Sequence, residues 1–263
     1  MRYNLKDKVV LVTGASSGLG EALAHELARC GATLALASRG LAQLEHVAAA
    51  CKRLGAHEAR AYSLDVSRAS DGQRVVEAVQ RDFGRIDVLI NNAGVHGFAS
   101  VAELPEGLFH EALEVNLFGP LRMIQAALPG LRQSKGMVVN VGSSLVFRAI
   151  PMGGAYSACK AALARLTEAL RDEEARHGVH VLHVCPGVVL TKLRDNALTH
   201  GTQPQAQDKL PFPRSAEITA KEVVKAMQGK RREIISAAWP IRLWAKLMVP
   251  YLGRLVDGRM KLS

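Results

Sequence analysis

The sequence predicts a single α/β domain in which a parallel, seven-stranded, doubly wound sheet carries helices on both faces. The main observation is that short apolar segments alternate with mostly longer helical segments along most of the 263 residues. Such alternation defines βαβ units, whose crossovers are right-handed and whose strands are parallel. No linker or internal repeat divides the chain, and 48% apolar residues suffice for one large core.

Each predicted element has a local reason. The first strand is a buried apolar run that ends at glycines, and the first helix places Leu19, Leu23 and Leu27 at helical spacing before Gly31. The predicted strands are residues 8–13, 33–37, 59–64, 86–90, 137–141, 179–184 and 233–236. The helices after the first are predicted at 41–54, 71–83, about 105–133, 154–176 and 220–227.

The alternation stops after the sixth strand. Residues 188–214 contain Pro204, Pro211 and Pro213, which cannot continue a helix. Long irregular stretches inside compact domains are typical of functional lids or of disorder. We therefore predict one domain over 1–237 with a lid at about 188–214, followed by a basic and apolar C-terminal extension over 238–263.

Charge and cysteine content exclude several classes of protein. The net charge is +10, but the last 34 residues hold eight basic and two acidic residues, so +6 of it lies in the tail. A nucleic-acid-binding domain would carry a basic stripe along its main body, and we expect no nucleic-acid partner. The four cysteines form no CxxC, which indicates reduced thiols and predicts neither disulfides nor a bound metal. The polar N-terminus has no apolar signal segment, and the expected location is cytoplasmic.

A glycine-rich turn joins the first strand to the first helix. Gly14, Gly18 and Gly20 allow a tight turn and let backbone N–H groups approach a pyrophosphate. The N-terminus of the helix carries about half a positive charge and faces that anion. A structural turn is the alternative, but the position inside a βαβ unit favours a dinucleotide.

The end of the second strand indicates which dinucleotide binds. A carboxylate there would hold the ribose diol of NAD, whereas a cation would pair with the 2′-phosphate of NADP. The sequence has Ser38 and Arg39, without an acid. We therefore predict NADP(H) over NAD(H), although a solvated arginine is the alternative and Ser17 supplies no second cation.

Two further strand ends carry polar residues. Asp65 and Val66 follow the third strand, and residues 91–94, Asn-Asn-Ala-Gly, follow the fourth. Open α/β sheets bind ligands at the carboxyl ends of their strands. The same composition is also compatible with a simple turn.

Tyr156 and Lys160 lie four residues apart near the start of a predicted helix and share one face. A free phenol has a pKa of about 10, and a nearby ammonium is expected to lower it, as proton exchange with an alcohol requires. Such a pair alone is more often a surface hydrogen bond. Ser143 closes the fifth strand at the same sheet edge, where its hydroxyl could hold a carbonyl oxygen beside the phenol.

These motifs resemble, in order and spacing, those of classical short-chain dehydrogenases/reductases. The matching segments are TGxxxGxG at 13–20, NNAG at 91–94, YxxxK at 156–160 and PGxVxT at 186–191. Asn116 falls on the family's helix asparagine. Ser143, rather than Ser144, falls on the family's serine, because it lies thirteen residues before the tyrosine. The resemblance runs from about residue 6 to residue 236. It implies a Rossmann-type fold and an NADP(H)-dependent oxidoreductase.

The resemblance also implies roles for single residues. Tyr156 would be the proton donor or acceptor, Ser143 would polarise the substrate oxygen, and Lys160 would lower the pKa of Tyr156 and hold the nicotinamide ribose. Asn116 would position a water that links Lys160 to solvent. The expected cofactor-binding residues are Gly14, Ser16, Ser17, Gly18, Leu19, Gly20, Ser38, Arg39, Asp65, Val66, Asn92, Ala93, Gly94, Tyr156, Lys160, Pro186, Gly187, Val189 and Thr191.

The C-terminal extension bears on substrate and location. Residues 238–250 contain both tryptophans of the chain among aliphatic and basic side chains. This composition fits a helix that covers the cleft or a neighbouring subunit, and it also fits peripheral membrane contact. This composition, together with the substrates common in the family, predicts an apolar substrate. That substrate would be a steroid-, retinoid- or acyl-like carbonyl or alcohol. The family also implies a homodimer or homotetramer.

Three other functions remain open at this stage. The first is reduction of acyl chains tethered to a carrier protein, which the tail and Ser17 disfavour. The second is a non-catalytic dinucleotide sensor, which loss of the serine, tyrosine or lysine would have favoured. The third is a scaffold that uses its basic tail to bind polyanions with strong salt dependence.

Overall fold

The computed structural model describes residues 2–191, 197–199 and 213–237. The strands, in chain order, are β1 (Val9–Thr13), β2 (Thr33–Ser38), β3 (Glu58–Ser63), β4 (Val88–Asn91), β5 (Gly97–Phe98), β6 (Met137–Val141), β7 (His180–Pro186), β8 (Leu198–Thr199) and β9 (Glu233–Ser236). The α-helices are α1 (Gly18–Arg29), α2 (Leu41–Arg53), α3 (Ala69–Phe83), α4 (Glu106–Leu113), α5 (Gly119–Ser134), α6 (Gly154–Ala175) and α7 (Ala216–Gln228).

Seven of the strands form one sheet in the order β3-β2-β1-β4-β6-β7-β9, and all of its neighbours are parallel. The order reverses between β1 and β4, which is the switch point of a doubly wound fold. The predicted fold class is therefore confirmed. All the carboxyl ends of these strands meet at one edge, and a cleft opens there.

Alternate residues of the strands belong to two separate hydrophobic cores, one on each face of the sheet. Val10 and Val12 of β1 pack toward α1, α2 and α7, whereas Val9 and Leu11 pack toward α3, α5 and α6. Full burial of one such side chain contributes about 1.5–3 kcal/mol, so both faces stabilise the sheet. This burial on both faces explains why the strands read as continuous apolar runs.

The helix predicted at about 105–133 is divided into three parts. Between α4 and α5 lies a π-helical turn, Glu114–Phe118. A π-turn adds one residue without ending the helix, so hydrophobic periodicity alone does not reveal it. Helix α7 begins at Ala216 rather than at residue 220, because the hydroxyl of Ser215 accepts a hydrogen bond from the Ile218 N–H at 3.3 Å.

The predicted lid begins and ends on backbone hydrogen bonds. The Leu190 N–H donates to the Arg214 carbonyl, and the Arg214 N–H donates to the Val188 carbonyl, both at 2.9 Å. Within it, β8 pairs with β5 in a two-stranded sheet that was not predicted. The remaining lid residues, 192–196 and 200–212, and the extension 238–263 lie outside the described residues. The domain limits therefore stay predictions.

None of the helices in the described part of the chain has the length and apolar character needed to cross a membrane.

Candidate functional site

The cleft at the carboxyl edge of the sheet has a volume of about 430 Å³. It brings together every predicted cofactor-binding residue except Gly20, and also Ser143. Asn116 lies beneath it, fully buried. Lining residues that were not predicted are Ala37, Gly40, Leu64, Val95, Val115, Val141 and Gly142.

The three glycines of the turn have no room for a side chain. Gly14 and Gly18 have φ angles of 65° and 58°, which residues with a Cβ rarely adopt. A Cβ on Gly20 would overlap the Gly14 carbonyl oxygen and lie 2.5 Å from Nδ2 of Asn92. Ser17, at the N-cap of α1, makes no side-chain capping bond, so the first turn keeps N–H groups for an anion.

Thr13 connects this turn to β4. Its hydroxyl accepts hydrogen bonds from the N–H groups of Asn92 at 3.0 Å and Ala93 at 3.1 Å, and it donates to the Ile90 carbonyl at 3.3 Å. Asn92 in turn donates its side-chain amide to the Thr13 and Gly14 carbonyls. Thr13 was not predicted as a site residue, although its place directly before Gly14 was the available signal.

We expect Gly20→Ala to weaken dinucleotide binding at least ten-fold and to destabilise the fold by about 1–3 kcal/mol, since backbone must move to admit the methyl group. Isothermal titration and urea denaturation measure both effects. Gly107→Ala in α4 is the matched control, because nothing lies within 4 Å of its added Cβ. That control should bind the dinucleotide normally and be slightly more stable than the wild type. Equal dinucleotide binding by the two variants would refute the close packing of Gly20 against Gly14 and Asn92.

The predicted adenosine end carries two groups suited to a polar ligand. The Ser38 hydroxyl is buried without a hydrogen-bond partner among the described residues. Arg39 is exposed, lines the cleft and makes no ion pair with any described residue. By contrast, Asp65 is engaged locally, because its carboxylate accepts from the N–H and the hydroxyl of Ser67.

The other end of the cleft brings Ser143, Tyr156 and Lys160 together. Ser143 follows β6, while Tyr156 and Lys160 lie in the first two turns of α6. The Ser143 hydroxyl lies near the Tyr156 phenol, where it acts to lower the pKa of that phenol. Lys160 Nζ donates to the Val141 carbonyl at 2.9 Å and lies 5.7 Å from the centroid of the Tyr156 ring. All three residues are buried.

Burial controls the protonation of this pair. It raises the pKa of Tyr156 to about 12, and the nearby Ser143 hydroxyl opposes that rise. It lowers the pKa of Lys160 to about 8. The expectation that Lys160 brings the phenol pKa below its ordinary value is therefore not met in the protein alone, because loss of water disfavours the charged form of both groups.

Asn116 lies in the π-turn. Its side-chain amide donates to the Val95 and Ala112 carbonyls, both at 2.9 Å, and accepts from the Val95 N–H at 3.3 Å. These bonds hold the backbone that follows Gly94. Its role in positioning a water stays a prediction.

A polar cluster that sequence reasoning missed lies behind Ser143. His183 Nδ1 is 3.4 Å from Glu233 and 3.5 Å from Cys185 Sγ, and a Cβ on Gly142 would overlap His183 Nε2. His183 thus packs against the residue before Ser143.

The four cysteines are free thiols, as expected, and the prediction that no metal binds remains untested.

The fold and the cleft define a dinucleotide-binding type of α/β protein. The family model for short chain dehydrogenase matches residues 8–201. The chain therefore belongs to the short-chain dehydrogenase family of oxidoreductases, as its motifs indicated.

Two similar plant proteins carry the names of hydroxysteroid dehydrogenases. The 11-beta-hydroxysteroid dehydrogenase 1A of Arabidopsis thaliana is 36% identical, over 95% of this chain and 74% of its own length. The 11-beta-hydroxysteroid dehydrogenase A of Sesamum indicum is 33% identical, over 97% of this chain and 76% of its own.

Two solved structures share the fold. An alcohol dehydrogenase from Thermococcus sibiricus, complexed with 5-hydroxy-NADP, is 31% identical with a TM-score of 0.79, over 89% of this chain and 97% of its own. A short-chain dehydrogenase/reductase from Burkholderia phymatum, in complex with NAD, is 26% identical with a TM-score of 0.82, over 92% of each chain.

Proposed function

We propose that this protein is an NADP(H)-dependent oxidoreductase that interconverts a carbonyl and a secondary alcohol on a small apolar substrate. The observation that carries the proposal is one cleft with a glycine-rich turn at one end and the buried group Ser143, Tyr156 and Lys160 at the other. A proton-transfer group and an anion-binding turn in a single cavity are what hydride transfer by a bound dinucleotide requires.

The residues present fit such a cofactor. The three glycines let the turn pack closely against the residues that follow β4 and against Thr191, and the first turn of α1 offers N–H groups to a pyrophosphate. The Ser38 hydroxyl is buried without a partner among the described residues. Arg39 would pair with a 2′-phosphate, and Tyr156 and Lys160 would meet the nicotinamide ribose. The cofactor, when bound, supplies or accepts the hydride.

The proton is handled by the chain itself. Because burial raises the pKa of Tyr156 to about 12, the phenol is protonated at neutral pH and is ready to donate to a developing alkoxide. Ser143 would hold the substrate oxygen beside that phenol. Lys160 is charged below about pH 8 and would stabilise the phenolate left after donation. At neutral pH the two groups are therefore in the protonation state that carbonyl reduction requires.

Arg39→Asp should reverse the cofactor preference. The substitution removes the partner of a 2′-phosphate and supplies a carboxylate for a ribose diol, so we expect the NADPH/NADH ratio of kcat/KM to fall at least 100-fold. Steady-state kinetics with both cofactors measure it. Arg53→Asp, at the exposed end of α2, makes the same charge change away from the cleft. An unchanged ratio in Arg39→Asp would reject the phosphate pairing.

The substrate is proposed to be apolar and steroid-like. Val95 and Val189 line the cleft, and Leu190 beside them is 57% exposed. The plant relatives that carry hydroxysteroid dehydrogenase names support this class.

The test is NADPH oxidation with steroid ketones, retinal, small ketones and acyl thioesters. Turnover of acyl thioesters alone would favour the carrier-protein reductase. Dinucleotide binding without any turnover would favour a sensor.

Assembly and location belong to the same proposal. We expect a homodimer or homotetramer in the cytoplasm, with the C-terminal extension as the candidate for peripheral membrane contact. Light scattering of the full chain measures its assembly. Vesicle co-sedimentation of the full chain and of a variant lacking residues 238–263 measures membrane contact.

A further inference from the structure

A stack of three aromatic rings adjoins the cleft. The imidazole of His96 lies between the rings of Phe98 and Tyr156, with centroid distances of 4.0 and 4.3 Å and interplanar angles of 15° and 13°. His96 is 6% exposed. One face of the Tyr156 phenol is thus covered by a flat ring from another segment of the chain.

The backbone around His96 is fixed from two directions. Its carbonyl accepts a hydrogen bond from the Leu198 N–H at 2.8 Å, at the start of β8. Three residues later, the Ala99 N–H donates to the Met152 carbonyl at 3.1 Å, immediately before α6. The segment 96–99 therefore connects part of the predicted lid with the helix that carries Tyr156.

Two contacts together define where the phenol oxygen lies. The Ser143 hydroxyl lies near the phenol oxygen, and the imidazole face fixes the plane of the ring. Without the imidazole of His96, the Tyr156 ring could rotate, and water could reach the face that the imidazole now covers. Proton transfer is sensitive to such displacement, because the donor must stay within hydrogen-bond reach of the reacting oxygen.

We propose that His96 is a positioning residue for the reaction, which holds the plane of Tyr156, keeps water from its face and joins it to the lid segment at Leu198. This inference rests on the proposed function, in which Tyr156 transfers the proton. It assigns His96 no proton transfer of its own, and a flat apolar ring at this position should therefore largely replace it.

The test compares His96→Phe, which keeps a flat ring, with His96→Leu, which keeps an apolar side chain without one. We expect His96→Leu to lower kcat for carbonyl reduction at least ten-fold, with the KM for NADPH changed less than two-fold. His96→Phe should stay within three-fold of the wild type. His110→Leu, on the exposed face of α4, is the control.

A second readout separates positioning from general stability. If water reaches the phenol in His96→Leu, the desolvation that raises its pKa is reduced. The absorbance titration of the Tyr156 phenol, taken as the difference between each variant and its Tyr156→Phe counterpart, should then move to lower pH in His96→Leu but not in His96→Phe. Ser143, Cys159 and Lys160 also adjoin the phenol and are unchanged in both variants.

The outcomes are distinct. Equal kcat in His96→Leu and His96→Phe, or a loss in His96→Leu that lies entirely in the KM for NADPH, overturns the role of His96 while leaving the proposed function intact. Wild-type protein without turnover, or a Tyr156→Phe variant that keeps it, overturns the proposed function and this inference with it.

Discussion

Tyr156→Phe should lower kcat by about 100- to 10,000-fold, the range that a general acid contributes, while the Kd for NADPH changes less than three-fold. The substitution removes only the hydroxyl, and the ring keeps its stack with His96. Pre-steady-state absorbance of NADPH and isothermal titration measure the two quantities separately.

Tyr62→Phe is the matched control for this experiment. Its hydroxyl also donates a hydrogen bond, to Asp82 at 2.8 Å, but the residue lies on β3 and does not line the cleft. It should keep wild-type kcat. Comparable turnover in Tyr156→Phe and Tyr62→Phe would refute the assignment of Tyr156 as proton donor.

Lys160→Met should be nearly inactive and yet more stable than the wild type at pH 7. Activity should fall at least 100-fold, because no ammonium remains to stabilise the phenolate. Stability should rise by about 1–3 kcal/mol, because lowering the pKa of Lys160 from 10.5 to about 8 reflects roughly 3 kcal/mol of unfavourable burial of its charge. The lost hydrogen bond to Val141 reduces that gain.

The pH dependence of the stability gain has a definite sign. Between about pH 8 and pH 10.5 the unfolded chain holds the Lys160 proton and the folded chain does not, so wild-type stability rises with pH. The advantage of Lys160→Met should shrink across that window. Urea denaturation at pH 7, 9 and 10.5 measures it, with the exposed Lys221→Met as control. A Lys160→Met protein less stable at pH 7 would contradict the burial argument.

Most of the fold was readable from the sequence, and the reasons are local. Strands such as β1 and β6 are short runs buried on both faces, and their alternation with helices determines the parallel topology. Most of the cleft residues followed from the same logic, because parallel strands bring Gly14, Asn92 and Ser143 to one edge.

What the sequence did not reveal depends on contacts between distant segments. The stack of His96 on Tyr156 joins residues 60 positions apart, and the pairing of β5 with β8 joins short segments without a strand pattern of their own. The protonation of Tyr156 and Lys160 also escaped prediction. Their spacing indicated mutual stabilisation, whereas burial, a tertiary property, dominates the pKa of each.

The two backbone hydrogen bonds that join Arg214 to Val188 and Leu190 have a consequence for how the sequence between them can vary. They bring the two ends of the intervening stretch side by side, and Arg214 is further anchored to the Ala237 carbonyl at 2.8 Å. Where two ends are fixed together in this way, a change in the number of residues between them costs little. Doubling the length of a flexible loop costs only about 0.6 kcal/mol in closure entropy. The sequence between residues 200 and 212 can therefore change in length between relatives while the paired residues at 188–190 and 214 stay in place.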